Sequence, residues 1–82
     1  MTRTQLESAI AGIWMDVLSV DDIELDQDFF ELGGTSLQAA RVVTKTRAAL
    51  GVKLSAQDLY EHPRLADFAS QVDAALATDS PR

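Results

Sequence analysis

The stretch Asp26-Gln27-Asp28-Phe29-Phe30-Glu31-Leu32-Gly33-Gly34-Thr35-Ser36-Leu37 decides how the chain is read. Two aromatics and a leucine lead into paired glycines, and a helical pattern begins at Ser36. Glycine lacks Cβ, so Gly33-Gly34 permits a sharp turn. Phe29, Phe30 and Leu32 are too apolar for a free loop and are expected to pin it to a core. Ser36 then stands where a helix presents unpaired N–H groups and the positive end of its dipole, a favourable place for an attached anionic group such as a phosphate diester. Serine is also among the best helix caps, and taken alone Gly-Gly-x-Ser before a helix reads as a turn plus a cap.

Working outward, Thr4 and Glu7 have capping-box spacing and start a helix over about 5–18. Leu6, Ala9, Ile10, Ile13, Val17 and Leu18 recur along one stripe, with Trp14 widening it or lying at its edge. Residues 19–35 form a long connection; Ile23, Leu25, Phe29, Phe30 and Leu32 punctuate it as burial anchors, which predicts an ordered loop. A second helix is expected over Ser36–Leu50, stopped by Gly51, with Ala39, Val42, Val43, Thr46 and Leu50 inward. The Thr46 hydroxyl can bond a carbonyl one turn back. Arg41, Lys45 and Arg47 place positive charge toward its C-terminal half, where the dipole favours it.

Val52 and Leu54 read as a short extended link, and Ser55 with Asp58 as the cap of a short helix through Leu59 and Tyr60. Glu61-His62-Pro63 breaks that helix, and Pro63 is expected in the first turn of the next. Leu65, Phe68, Ala69, Val72 and Leu76 give the last helix its apolar face, and residues 77–82 read as a flexible tail. The expected fold is all-α: a small antiparallel four-helix bundle, three helices long and one short, with a long ordered loop between the first two. At 82 residues it is a single domain.

Charge and composition remove several function classes. Asp21, Asp22, Glu24, Asp26, Asp28 and Glu31 form an acidic run without an intervening Lys or Arg, within a net charge of −6; this repels nucleic-acid phosphates and could attract a basic protein partner, although most of these acids individually read as a solvated loop that aids solubility. As an EF-hand starting at Asp22, the run has Gln27 and Gly33 where glycine and glutamate are required, so the calcium reading fails. Cysteine is absent, which excludes disulfides and cysteine metal sites. With no apolar span and no signal-peptide pattern, no membrane partner and a cytoplasmic protein are expected; the protein is also expected to be a monomer. A hydrolase would need a base for Ser36; His62 is the single histidine, beside a proline, and Gln38 stands where a nucleophile elbow has glycine. The lysine and glycine spacing of a P-loop are also missing. No catalytic residue and no metal site is assigned.

Asp28-Phe29-Phe30-Glu31-Leu32-Gly33-Gly34-Thr35-Ser36-Leu37 closely resembles the attachment motif of peptidyl carrier (thiolation) domains of nonribosomal peptide synthetases. Leu50-Gly51-Val52 with Leu54, Leu59-Tyr60-Glu61-His62-Pro63 and Leu65-Ala66-Asp67-Phe68-Ala69 look like later segments of the same family, so the resemblance covers most of the chain. It implies that Ser36 carries 4′-phosphopantetheine, with Gly33, Gly34 and Thr35 as the attachment loop. The arm would come from coenzyme A through a phosphopantetheinyl transferase using magnesium, and hold an aminoacyl or peptidyl group as a thioester. The expected partners are that transferase, an adenylation domain or enzyme, and condensation, tailoring or thioesterase enzymes. Leu37, Ala40, Arg41, Leu59 and Tyr60 are the expected partner-facing residues. Thr35 departs from the His or Asp frequent at its position, and Leu-Gly-Gly points to peptidyl rather than fatty-acid or polyketide carriers. Met1 so close to the first helix, with a short tail, suits a discrete carrier as well as a domain cut from a synthetase. Two readings compete: an acyl or aryl carrier in a polyketide-type or hybrid pathway, and a non-modified helical interaction module in which Ser36 only caps its helix.

Overall fold

The computed structural model describes residues 2–78. Four helices follow in order: α1 Arg3–Leu18, α2 Ser36–Leu50, α3 Ala56–Glu61 and α4 Leu65–Thr78. Helix α1 packs on both α2 and α4, and the short α3 bridges α2 and α4. This is the expected helical bundle, with three long helices and one short. Residues 77 and 78, expected in a flexible tail, are helical as the end of α4, and the rest of that expectation lies outside the described residues.

Helix α1 starts two residues before the expected point. Thr2 is its cap: the Thr2 hydroxyl accepts from the Gln5 N–H at 3.1 Å, while Gln5 Oε1 accepts from the Thr2 N–H at 2.8 Å. Glu7, read as the far half of a Thr4 box, instead pairs with Arg3 at 3.4 Å. Leu6, Ile10 and Trp14 are the buried residues of α1. Trp14 is therefore central and not at the edge of the stripe. Its ring meets Phe29 edge-on at 5.1 Å and Phe68 at 6.1 Å.

The same buried core takes in Ala39, Val42, Val43 and Thr46 of α2, Leu59 of α3, Leu65, Phe68, Ala69 and Val72 of α4, and Val52 and Leu54 from the extended link. Leu50 is half-buried. Thr46 is tolerated in this core because its hydroxyl donates to the Val42 carbonyl at 2.7 Å, as the helix spacing anticipates.

The 19–35 loop is ordered, and backbone pairing orders it as much as burial does. Ile23 and Phe29 are buried, and Phe30 and Leu32 are half-buried. Leu25 is a correction: it is 47% exposed, and its contribution comes from its carbonyl, which accepts from the Ala66 N–H at 2.9 Å. The Gln27 carbonyl likewise accepts from the Leu65 N–H at 3.1 Å. Loop carbonyls thus take amides in the first turn of α4 that would otherwise lack partners. Pro63 does not enter that helix. It lies in an extended segment whose carbonyl accepts from the Phe29 N–H at 2.8 Å, next to an isolated bridge between Asp28 and Arg64.

Candidate functional site

The acidic run and the aromatics together build the approach to Ser36. Asp28 Oδ1 accepts from the N–H groups of Phe30 and Glu31, at 2.8 and 3.1 Å, which turns the chain just after the loop meets α4. Of the run, Asp21, Asp22, Glu24, Asp26 and Glu31 face solvent, while Asp28 is half-buried in this capping role. The turn continues through Leu32 N–H to the Asp28 carbonyl and Gly33 N–H to the Phe30 carbonyl, at 3.0 and 3.1 Å.

The two glycines serve different needs. Gly33 has φ +97°, a backbone conformation that side chains with a Cβ rarely adopt. Gly34 is needed for space: a Cβ there would lie 2.7 Å from the Phe29 carbonyl oxygen and would overlap the Phe29 ring. The loop is thereby pressed onto Phe29, which stands against Trp14 and, at 5.2 Å, against Phe30. A continuous contact runs from the core centre to the residue two positions before Ser36.

Helix α2 begins at Ser36, but its cap is Thr35. The Thr35 hydroxyl accepts from the Gln38 N–H at 3.2 Å, and Gln38 Oε1 accepts from the Thr35 N–H at 2.9 Å. This corrects the capping reading of Ser36. The Ser36 side chain is exposed, and its hydroxyl takes part in no hydrogen bond among the described residues. It sits in the first turn, where free N–H groups and the helix dipole favour negative charge. The Thr35…Gln38 box is legible in the sequence as Thr-x-x-Gln before a helix.

Beyond Ser36, Leu37, Ala40, Arg41, Thr44 and Lys45 line an open surface depression of about 350 Å³ along the outer side of α2. Leu37 is 67% exposed, the most exposed large apolar residue described. Lys45 pairs with Asp16 of α1 at 3.2 Å, whereas Arg41 has no ion pair among the described residues. Tyr60 is exposed and packs against Phe30 at 5.7 Å, and it does not line this depression. Leu59, grouped with it on sequence, is fully buried; its side chain belongs to the core and cannot meet a partner. His62 ends α3, donating its N–H to the Asp58 carbonyl at 3.0 Å.

The family model for the phosphopantetheine attachment site matches residues 8–72. The chain belongs to this carrier family. It is 45% identical over 78 residues, 94% of its length, to phosphinothricin tripeptide synthetase PhsB of Streptomyces viridochromogenes, of which it spans 7%. The carrier covers only 1% to 7% of such large synthetases. BlmI, a type-II acyl carrier protein from Streptomyces verticillus involved in bleomycin biosynthesis, has the same fold, with a TM-score of 0.86 at 32% identity over 90% of this chain and 89% of BlmI. A peptidyl carrier protein solved in complex with the phosphopantetheine transferase Sfp and coenzyme A gives a TM-score of 0.81 at 32% identity, over 84% of this chain and 90% of that one.

The domain is thus a peptidyl carrier homologous to those of nonribosomal peptide synthetases, and its prosthetic group is covalent 4′-phosphopantetheine. The carrier's own residues fit that group. An exposed hydroxyl, relieved of capping by its neighbour, stands at the positive end of a helix with a glycine pair before it.

Proposed function

We propose that Ser36 is the attachment residue and that this chain carries aminoacyl or peptidyl groups between the enzymes of a nonribosomal peptide pathway without catalysing a step itself. The observation that carries this reading is the free, exposed Ser36 hydroxyl at the first position of a helix already capped by Thr35. In attachment, Ser36 Oγ forms a bond to a phosphorus of the coenzyme A diphosphate. The bond from that phosphorus to the bridging oxygen breaks, the nucleotide half leaves, and the hydroxyl proton passes to a base of the transferase, with magnesium on the phosphates. The carrier supplies no base to this step: its role is to hold the oxygen in the open, with the α2 amides beside the new negative charge.

Once bound, the arm supplies a thiol that takes its cargo as a thioester. Tethering then replaces diffusion by a high effective concentration at each successive active site. Leu37, Ala40 and Arg41 form the surface offered to the transferase and to adenylating, condensing, tailoring and thioesterase partners, with Tyr60 beside the loop. The exposed acids of the loop favour basic surfaces on those partners. The reading is tested by converting the protein with coenzyme A, then supplying ATP, an adenylation enzyme and amino acids. A mass gain of one aminoacyl group, removed by hydroxylamine, is expected on the pantetheinylated protein alone. Acylation of the unconverted protein would refute it.

A further inference from the structure

We infer that Thr35 and Gln38 are positioning residues that keep Ser36 out of the helix cap, and so set how readily a transferase can use it. This rests on Ser36 being the attachment residue. Two adjacent hydroxyls compete for one task at the start of α2. Serine ranks above threonine as a cap, so intrinsic preference alone would shift the helix start by one residue and engage Ser36 Oγ. The structure shows the opposite choice, with Thr35 capping.

Gln38 explains the reversal. It is the third helical residue counted from Thr35, where its Oε1 closes the box on the Thr35 N–H at 2.9 Å. Counted from Ser36, the equivalent residue is Ala39, which has no polar group and is fully buried against the core. A box can close around Thr35 and cannot close around Ser36. Gln38 also donates from Nε2 to the Val17 carbonyl at 3.5 Å, near the end of α1, which ties this helix start to the neighbouring helix. The glutamine fixes both which hydroxyl caps and where the first turn lies.

In Thr35→Ala, the best available cap becomes Ser36 itself. Its hydroxyl would then be engaged most of the time, and a transferase would select the minor, open form. The expected signature is a rise of about five-fold in the KM for the carrier with kcat nearly unchanged, because only the competent fraction binds. Thr35→Ser should restore the wild-type KM, and Gln38→Ala should raise it. Val72→Ala, in the core of α4 and outside the site, should melt earlier with no change in KM.

The experiment is initial-rate phosphopantetheinylation by intact mass with coenzyme A, magnesium and a broad-specificity transferase, with thermal melts on each variant. A Thr35→Ala protein that melts earlier but keeps the wild-type KM would overturn the inference and leave Thr35 a stability residue. A raised KM that Thr35→Ser does not restore would also overturn it. No conversion of wild type, or conversion of Ser36→Ala, would overturn the attachment reading, and that result is recognisable without any Thr35 variant.

Discussion

Gly34→Ala tests the way the attachment loop is seated. The new Cβ would lie 2.7 Å from the Phe29 carbonyl oxygen, where real Cβ contacts under 3.0 Å are essentially unknown. That oxygen is backbone and already accepts the Gly34 N–H at 3.1 Å, so it cannot swing aside. The Phe29 ring cannot easily yield either, being held between Trp14 and Phe30 with centroids at 5.1 and 5.2 Å. Forcing a methyl group into such packing costs about 1–3 kcal/mol. A value near 2 kcal/mol lowers the melting temperature of a domain this small by about 8–16 °C. Total stability for small domains is about 5–15 kcal/mol, so the variant remains folded at room temperature and can be assayed.

Gly33→Ala is the informative control. Space at Gly33 is open, and its cost comes from the positive φ, at about 1–2 kcal/mol. Both variants should melt earlier, but only Gly34→Ala should alter the near-ultraviolet circular dichroism and emission of Trp14, because only its clash reaches Trp14 through Phe29. If Gly34→Ala melts with the wild type and leaves the Trp14 signals unchanged, the loop is not seated on Phe29 as described.

Three further substitutions probe separate parts of the account. Leu59→Ala should cost about 2–5 kcal/mol by urea denaturation, since the side chain is wholly in the core; a loss of partner loading at unchanged stability would return Leu59 to the surface. Leu37→Asp should change stability by no more than about 0.5 kcal/mol at its 67% exposure, yet reduce aminoacyl loading of the pantetheinylated protein; normal loading would remove Leu37 from the partner surface. Thr46→Val should stay within about 1 kcal/mol of wild type by thermal melt, because it removes a hydroxyl donor while keeping the volume; a larger loss would mean the bond to Val42 matters more than packing.

The bounds of α2, the core role of Thr46 and the stop at Gly51 were all legible, because a helical stripe, a back-bonding hydroxyl and a positive-φ glycine are local signals. The start of α1 was ambiguous: Thr2…Gln5 and Thr4…Glu7 share one spacing, and Arg3 drew Glu7 into an ion pair. Whether Trp14 widens the stripe or lies at its edge is not decided by helical spacing alone, and a buried indole usually keeps its N–H near an acceptor. Its Nε1 is buried with none among the described residues, so the ring's packing outweighs that need. Leu25 and Pro63 were misplaced for a shared reason. Loop carbonyls pair with the amides leading into α4, a tertiary contact that no window of sequence around either residue contains.

At the site, the attachment stretch was plain in the sequence, whereas the division of labour between Thr35 and Ser36 was not. Either hydroxyl can cap, and the choice depends on what lies three residues on. Leu59 and Tyr60 were both expected to face partners, yet neighbouring helical residues point about 100° apart, which puts one in the core and the other on Phe30.

The most direct test of the central claim is the intact mass of the protein and of its Ser36→Ala variant after incubation with coenzyme A, magnesium and a broad-specificity phosphopantetheinyl transferase shown to be active on another carrier. One phosphopantetheine on the wild type and none on the variant is the result this account predicts. Addition to both proteins, or to neither while both are folded, would contradict it.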